Sequence, residues 1–442
     1  MTSRRRPVDK ARRAALDVLT AVRVDDAYAN LVLPQVLRKH GLDGRDAGLA
    51  TELASGAIRM HGLYDAVIDA CLTRPRLQPE VRDVLRLGTH QLLSMRVPDH
   101  AAISTSVDLV RASVGQGPAG LVNAVLRTVS RRDLAGWVAE VAPDAATDPH
   151  GHLAVARSHP RWVVDALAEA LGSDDELDAL LEADNAAPRV TLVARPGLAS
   201  VEELEAAGGT RTGRSPYAVT LTGGDPGAVP AVAEGRAGVQ DEGSQLVAIA
   251  LADAPLEGRD SRWLDLCAGP GGKSALLGAL AARRGAVLLA NERQPHRAAL
   301  VASALRALPD GTAHVVAGDG VRPAWVPGTF DRVLVDAPCS GLGALRRRPE
   351  SRWRRRPDDV AELAGLQQAL LDAALESVRP GGVVVYATCS PVVAETTEVV
   401  RSVLARRADA DEVDRFQLWP HRDGTDAMFA STLRRRAWSD RD

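Results

Sequence analysis

Apolar residues recur at spacings of three and four positions along the first part of the chain, and polar residues fill the positions between them. Leu16, Leu19 and Val22 belong to one such stripe, and residues 84–93 contain another. Because this spacing brings apolar side chains onto one face of an α-helix, residues 8–134 are predicted to form consecutive amphipathic helices.

The helical pattern stops in residues 141–151, which are rich in Pro, Asp and Gly and show no periodicity. Such residues favour turns and loops, so the pattern predicts a linker and a domain boundary near residue 140. Beyond it, helical stretches mix with short apolar runs such as 190–193. This mixture predicts a linker and a small α+β domain within 141–235.

From about residue 236 the pattern changes again, to short apolar runs separated by helical stretches. The runs cover residues 263–266, 286–290, 314–316, 332–335 and 382–387. Continuous apolar strands that alternate with helices are typical of a parallel sheet covered on both faces, with ligands at the carboxyl ends of the strands. The predicted fold class is therefore multidomain, with an all-α domain (1–140), the small α+β insert (141–235) and a Rossmann-like α/β domain (236–442).

Composition narrows the class of protein. The chain has 442 residues, of which 45% are hydrophobic and 25% charged, and no stretch approaches the roughly 20 apolar residues that a membrane helix needs. The basic N-terminus lacks the apolar core of a secretory signal, so we expect a cytoplasmic protein with no membrane partner. Four scattered cysteines predict individual thiols, with no disulfide framework and no metal site.

The net charge of −3 argues against a uniformly basic nucleic-acid-binding protein, so any contact with RNA must be local. Positive charge is concentrated in residues 346–356, which contain seven arginines and Trp353. Two interpretations remain open for this segment. It could be a solvated loop, or an RNA-binding loop in which the indole stacks on a base.

A glycine-rich turn, residues 265–274, follows the first apolar run of the α/β region. A P-loop would need Gly at position 267, which is Cys267, and the dinucleotide pattern GxGxxG is also absent. An S-adenosyl-L-methionine site needs a tight turn, an acid after strand two and a polar side chain after strand three. Glu292 and Asp319 occupy these two places, which favours the methyl donor over a nucleotide.

Two cysteines follow the next two strands. Cys339 lies in the stretch after Asp336, and Cys389 lies just before Ser390 and Pro391. If Ser390 caps a helix that starts at Pro391, the helix N-terminus should lower the pKa of the Cys389 thiol. From the residues alone, either cysteine could be the nucleophile.

These stretches resemble the Sun/RsmB-type RNA cytosine-C5 methyltransferases of the NOL1/NOP2/Sun group. The motifs that carry the resemblance are DLCAGPGGK (265–273), DAPCSGLG (336–343), the long segment 346–374, ATCS (387–390), GVQDEGSQLVA (238–248) and RDGTDAMFAS (422–431). The N-terminal helices, with VNAVLR at 122–127, resemble the NusB-type RNA-binding domain. The chain departs from the family pattern where Glu395 is followed by Thr396 instead of Asn, and near residue 190, where the usual Arg-Val-Asn is missing.

The resemblance assigns roles by motif position. It implies that the donor is bound by Glu292, Asp319, Asp336 and the turn residues Cys267, Ala268, Gly269, Pro270, Gly271, Gly272 and Lys273. It further implies that Cys389 is the nucleophile and Cys339 assists product release. Asp336, held by Lys273, is the candidate that protonates the base at N3.

Lys273 is one of only three lysines in an arginine-rich chain, which suggests that a compact ammonium is needed there. The expected substrate is RNA, with small-subunit ribosomal RNA favoured over transfer RNA by the NusB-like module. A non-catalytic RNA-binding factor is the alternative from another class, but such a relic would be expected to lose the nucleophile or the glycine turn.

Overall fold

The computed structural model describes residues 9–73 and 76–437, which divide into two compact units. The first unit extends to Ala186 and also includes Leu345–Arg354, whereas the second contains Ala187–Ala344 and the chain from Arg355 onward. Residues 1–8 of the basic N-terminus lie outside the described part of the chain.

The first unit is helical. Its helices are α1 (Lys10–Val24), α2 (Ala29–His40), α3 (Gly44–Arg59), α4 (His61–Ala70), α5 (Pro79–Leu93), α6 (Asp99–Ser113), α7 (Ala119–Val129), α8 (Leu134–Val141), α9 (Pro149–Ala156), α10 (Arg161–Leu171), α11 (Leu177–Asn185) and, from the second segment, α17 (Ser351–Arg354). The predicted apolar stripes face inward, so that Leu16, Leu19, Leu85 and Leu87 are all buried in one core. The prediction of an all-helical N-terminal region is confirmed.

The Pro- and Asp-rich stretch near residue 145 is a turn inside this helical unit. Asp144 accepts a hydrogen bond from the Ala146 N–H, and Asp148 caps α9 by accepting from the Gly151 N–H. These residues end α8 and start α9, and helices continue as far as Asn185. The compact units therefore divide after Ala186, whereas the sequence pattern suggested residue 140. The division into functional domains at 1–140, 141–235 and 236–442 stays a prediction.

The second unit contains two sheets. Its elements are β1 (Thr191–Ala194), α12 (Val201–Ala206), β2 (Gly209–Arg211), β3 (Ala218–Leu221), α13 (Pro230–Ala233), β4 (Ala237–Val239), α14 (Glu242–Asp253), β5 (Arg262–Asp265), α15 (Gly272–Arg283), β6 (Val287–Glu292), α16 (Pro295–Leu305), β7 (Ala313–Ala317), β8 (Phe330–Asp336), α18 (Pro357–Ser377), β9 (Val378–Thr388), α19 (Thr397–Leu404), β10 (Ala410–Gln417), α20 (Pro420–Asp423) and β11 (Phe429–Arg435). The small sheet is antiparallel, in the order β2-β3-β1-β4.

The large sheet has the order β10-β11-β9-β8-β5-β6-β7, and its five strands from β9 to β7 are parallel. Alternate residues of these strands enter different cores, because successive side chains of a strand point to opposite faces. Trp263 and Leu334 belong to the core on one face, and Leu264 and Val333 to the core on the other. Both faces are thus buried, as the continuous apolar runs predicted.

Strands β10 and β11 add an antiparallel edge that the sequence pattern did not predict. β11 pairs with β9 and β10 pairs with β11. Most residues of β10 are partly or fully exposed, so this strand lacks the apolar run that marked the others. The predicted fold class, with a helical region, a small α+β part and a Rossmann-like sheet, is confirmed.

Within residues 9–73 and 76–437, no helix combines the length and the apolar character required to cross a membrane. The same part of the chain contains no group of three or more His, Cys, Asp or Glu side chains arranged to hold a metal ion.

Candidate active site

The predicted site residues of the second unit follow the carboxyl ends of its parallel strands. The turn after β5 holds residues 266–271, β6 ends at Glu292, and Asp319 lies two residues after β7. Strand β8 ends at Asp336, which is in register with Ala387 of β9. Because parallel strands share one direction, all these groups meet at one edge of the sheet.

The glycine-rich turn is shaped by backbone contacts that a side chain would block. Gly271 caps α15 with a φ of 111°, and an added Cβ there would lie 2.7 Å from the Ala304 Cβ. At Gly269 an added Cβ would overlap the Glu292 carboxylate, whereas at Gly272 it would meet open space. The first N–H groups of α15 therefore border a free volume where an anionic ligand group is favoured.

The two acids proposed for the donor's polar groups differ in exposure. Glu292 is 5% exposed and accepts hydrogen bonds from the N–H groups of Gly269 (3.0 Å) and Gln294 (2.9 Å). The Arg297 guanidinium also lies 3.7 Å from the Glu292 Oε2. Asp319 is exposed and accepts from the Val321 N–H at 3.0 Å. Glu292 is therefore held in place beside the glycine turn, whereas Asp319 is open to solvent.

Asp265, the last residue of β5, is a buried acid that the sequence analysis did not single out. Its Oδ2 accepts a 2.6 Å hydrogen bond from the Ser274 hydroxyl, so the carboxyl holds the start of α15. Burial raises the pKa of Asp265 to about 7. Burial and the charge of Asp265 also hold the pKa of the Cys267 thiol well above its usual value, which makes Cys267 a poor nucleophile.

Lys273 joins the glycine-rich turn to the end of β8. Its Nζ lies 2.9 Å from Asp336 Oδ2 and also donates to the Ser244 hydroxyl at 3.4 Å. Burial disfavours the charged lysine, but the Asp336 carboxylate outweighs it and raises the pKa of Lys273. The ammonium thus stays protonated at neutral pH beside an acid that is partly open to solvent.

The sulfur atoms of Cys339 and Cys389 are 3.4 Å apart, and both residues are partly buried. This separation is much longer than a disulfide bond, so both residues are thiols. The contact with Cys389, together with burial, raises the pKa of Cys339 well above its usual value. Cys339 therefore stays protonated when its neighbour carries a charge.

Backbone bonds hold the two cysteine turns against each other. The Gly343 N–H donates to the Cys389 carbonyl at 2.9 Å, and the Gly343 carbonyl accepts from the Ala427 N–H at 2.8 Å. An added Cβ at Gly343 would overlap the Ala427 carbonyl oxygen and lie 2.8 Å from that of Cys389. Only glycine allows this approach.

The predicted helix cap beside Cys389 is wrong. The chain after β9 forms a short 3-10 turn at Val393–Glu395, and α19 begins only at Thr397. The Ser390 hydroxyl donates to the Glu395 carboxylate at 2.7 Å instead of capping a helix at Pro391. A helix N-terminus therefore does not act on the Cys389 thiol.

One of the two interpretations of residues 346–356, a solvated loop, fails for Arg346 and Arg352, which are buried, whereas Arg348 and Arg356 are exposed. Arg352 is fully buried within the first unit, where it donates to the Ser158 carbonyl and to Asn185. Arg354 donates to backbone carbonyls at the end of α1, and the Trp353 ring packs against His61 with centroids 5.1 Å apart. The indole thus has a protein neighbour where the alternative interpretation expected an RNA base.

Several residues of the site had no local signal in the sequence. The motif at residues 238–248 contains Ser244 but indicates no role for it, and the sequence around Glu395 shows only that Thr396 replaces the family's Asn. Glu395 is fully buried and accepts hydrogen bonds from Ser340 and Gln367. Side chains that act through neighbours distant in sequence leave no spacing pattern to detect.

Comparison with known proteins matches both regions to families. Residues 250–434 match the model of the 16S rRNA methyltransferase RsmB/F family, and residues 9–131 match the NusB family. The predicted NusB-like character of the helical region is confirmed by the second match.

Individual relatives agree over nearly the full length. A Mycobacterium tuberculosis H37Rv protein named as a methyltransferase is 53% identical over 451 residues, with 98% of each chain covered. The ribosomal RNA small subunit methyltransferase B of Pseudomonas putida is 35% identical over 415 residues, with 91% of each chain covered. The crystal structure of PH0851 covers 97% of this chain and 99% of its own, with a TM-score of 0.80 and 22% identity, and it supports the fold alone.

Proposed function

Because the chain belongs to the RsmB/F family of 16S rRNA methyltransferases, we propose that it methylates C5 of a cytosine in small-subunit ribosomal RNA, with S-adenosyl-L-methionine as donor and Cys389 as nucleophile. The observation that carries this proposal is the 3.4 Å contact between the sulfurs of Cys339 and Cys389, beside the Lys273–Asp336 ion pair. Two thiols and a proton-transferring acid are what methylation at this carbon requires.

Donor binding is assigned to the glycine-rich turn and the acids around it. The backbone of residues 267–273, bordering open space at Gly272, would hold the amino-acid part of the donor, and Glu292 and Asp319 its ribose and adenine. When bound, the donor supplies an electrophilic methyl group on sulfonium sulfur. The protein's own reacting groups, Cys389, Cys339 and Asp336, lie at or after the ends of β8 and β9, and Lys273 joins Asp336 to the turn.

C5 of cytosine is a weak nucleophile, and a thiolate overcomes this by adding to C6. In the proposed step the Cys389 sulfur bonds to C6 while N3 takes a proton from Asp336, and the C5–C6 unit becomes an enamine. Asp336 must carry or share a proton in this complex, and Lys273, 2.9 Å away, keeps it oriented. Once C5 carries the methyl group that the donor would supply, C5 gives up its proton to a base, N3 returns its proton to Asp336 and the C6–S bond breaks, which releases Cys389.

Cys339 is proposed to act in that release. Its raised pKa keeps a proton on this sulfur at neutral pH, in contact with the sulfur that must leave. A protonated neighbour stabilises the departing thiolate through an S–H···S contact. The same contact would be harmful if both sulfurs were charged, because like charges would repel at this distance.

The substrate assignment rests on the family and on geometry. C6 of a stacked cytosine is out of reach of a protein thiol, so the target must be single-stranded or extruded from its helix. The relatives named as small-subunit ribosomal RNA methyltransferases match nearly the whole chain, which supports ribosomal RNA as the substrate.

Two variants test the division of labour between the thiols. We expect Cys389→Ala to abolish methyl transfer to small-subunit RNA, and Cys339→Ala to accumulate a protein–RNA adduct that survives denaturing electrophoresis. Cys71→Ala, which removes a thiol of the first unit, is the matched control and should retain activity. An adduct in the Cys389→Ala variant would exchange the two roles, and donor-independent RNA binding with no methylation would support a non-catalytic factor instead. Bisulfite mapping of RNA from a deletion strain distinguishes a ribosomal from a transfer RNA target.

A further inference from the structure

Glu395 is a buried carboxylate that touches both cysteine turns. Its Oε1 accepts hydrogen bonds from the Ser340 N–H (2.7 Å) and the Gln367 side chain (3.2 Å). Its Oε2 accepts from the hydroxyls of Ser340 (2.5 Å) and Ser390 (2.7 Å). Ser340 directly follows Cys339, and Ser390 directly follows Cys389.

The other contacts of Glu395 fix the carboxylate itself. The residue is 0% exposed, and its backbone carbonyl accepts a 2.6 Å hydrogen bond from the Tyr386 hydroxyl in β9. Gln367 of α18 also donates to the Pro338 carbonyl at 2.8 Å, so one amide holds the carboxylate and the first turn together. Four donors occupy the roughly four acceptor positions of a carboxylate, which leaves none for a ligand.

We propose that Glu395 is the positioning residue for the thiol pair: by bonding Ser340 and Ser390 at once, it holds the Cys339 and Cys389 sulfurs within contact distance. Its effect on methyl transfer rests on the function proposed above, but its effect on the spacing of the sulfurs does not. Glu395 makes no contact with the reacting atoms and acts through the two serines.

The chemistry explains why a rigid link is useful here. Cys389 must reach C6 of the base, while Cys339 must stay next to the same sulfur so that it can assist its departure. The two residues follow different strands, and backbone hydrogen bonds join the two segments from the Ala337 N–H to the Ala387 carbonyl and from the Gly343 N–H to the Cys389 carbonyl, away from the sulfurs' own side chains. A carboxylate that accepts from both serines fixes the remaining freedom between the turns, and misplacement by about 1 Å can cost about 10²-fold in rate.

A trivalent arsenical measures the thiol spacing without RNA or methyl donor. Phenylarsine oxide forms two As–S bonds with a pair of adjacent thiols, and the two thiol protons leave with the arsenic-bound oxygen as water. No oxidant or reductant is needed. Cys339→Ala, which leaves a single thiol in the site, gives the background from all other cysteines.

We expect wild-type protein to bind one phenylarsine oxide per chain in competition with a monothiol. Glu395→Ala should weaken this binding by at least about tenfold. Once the first As–S bond has formed, the second thiol then has a lower effective concentration near the arsenic. Glu395→Gln should retain most of it, since the amide oxygen still accepts from the Ser340 N–H and its NH₂ group donates to the hydroxyls. In methylation assays the Ala variant should lose kcat by about 10²-fold with little change in KM for the donor.

Glu242→Ala is the matched control for loss of a buried, turn-binding glutamate. Glu242 is 8% exposed and accepts from the N–H groups of Arg214 (3.0 Å) and Ser215 (2.7 Å), neither of which belongs to a cysteine turn. Both Ala variants should lower the melting temperature, but only Glu395→Ala should lose arsenical binding in protein that remains folded by circular dichroism.

Unchanged arsenical binding in folded Glu395→Ala would overturn the proposal, as would an equal loss in Glu242→Ala. If Glu395→Ala does not fold, a loss of arsenical binding in the folded Gln variant as large as that in Cys339→Ala would also overturn it, because the shape and hydrogen bonding are retained. If wild type and the Glu395 variants bind the arsenical as expected but Cys389→Ala still methylates RNA, the proposed function is refuted and the positioning role stands.

Discussion

The two halves of the candidate site are built differently. On the donor side, one continuous stretch, residues 265–274, supplies the turn, the first turn of α15 and the lysine. On the thiol side, the groups come from the turn after β8, the turn after β9, α18 and the approach to β11, and hydrogen bonds join them. The glycine turn of the donor side is thus determined locally, whereas the thiol side depends on contacts between distant parts of the chain.

Two buried acids illustrate this difference. Asp265, on the donor side, is held by a hydroxyl nine residues away and has a raised pKa of about 7. Glu395, on the thiol side, accepts from Ser340, 55 residues away, and from Gln367, 28 residues away. A substitution on the donor side should therefore act on the local turn, and one on the thiol side should disturb several elements together.

Lys273→Met tests the group that joins the halves and should have the largest effect in this comparison. Removing a positioned charge from a reacting site typically costs about 10²- to 10³-fold in rate, and we expect that loss in single-turnover methylation at saturating donor and RNA. Lys39→Met, which removes a lysine whose side chain is 72% exposed, is the control and should retain the rate.

The pH dependence of stability sharpens this prediction. The raised pKa of Lys273 means that its ion pair stabilises the folded state fully below the ordinary lysine pKa and is lost only as pH rises through the raised value. The difference in unfolding free energy between wild type and Lys273→Met should therefore be constant from about pH 7 to about pH 9 and should shrink above about pH 10.4. A difference that disappears near neutral pH would contradict the assignment.

Gly343→Ala tests the long-range construction of the thiol side. The added Cβ must displace the Ala427 or Cys389 carbonyl, so we expect destabilisation of about 1–3 kcal/mol and a fall in kcat of about tenfold. Donor affinity, measured by calorimetry, should change little. Gly365→Ala in α18 is the control, because its Cβ meets open space and should stabilise the helix by about 0.5–1 kcal/mol. If Gly343→Ala lowers donor affinity by as large a factor as it lowers kcat, the two halves of the site are not independent.

Asp265→Asn tests the local construction of the donor side and should have the smallest effect on rate. A carboxyl whose folded pKa is raised from 3.8 to about 7 loses stabilisation as pH rises between these values, because the unfolded state ionises first. Wild type should therefore lose at least about 1 kcal/mol relative to the Asn variant between about pH 4 and pH 7. Urea unfolding at both ends of this range measures it, and a parallel pH dependence in the two proteins would contradict the raised pKa.

Much of the fold could be predicted because its signals are local. The apolar runs of β5, β6, β8 and β9 and the glycine turn lie close to where the pattern indicated them. Arg352 shows the limit of such reasoning, because a run of arginines usually indicates a solvent-exposed segment. Its guanidinium is instead buried and donates hydrogen bonds to Ser158 and Asn185, more than 160 residues away in sequence. The sequence pattern did not predict the antiparallel strand β10, because an exposed edge strand needs no apolar run.

The amino-acid sequence by itself determined three things. It indicated which residues follow each strand, where glycine permits a tight turn, and which two thiols follow consecutive strands of the parallel sheet. Only the tertiary structure decided that the two sulfurs touch, that Lys273 reaches Asp336, and that Glu395 binds both cysteine turns. The physical reason is that spacing along the chain encodes periodic burial, whereas a hydrogen bond between distant segments depends on how the packed strands and helices bring its two partners together.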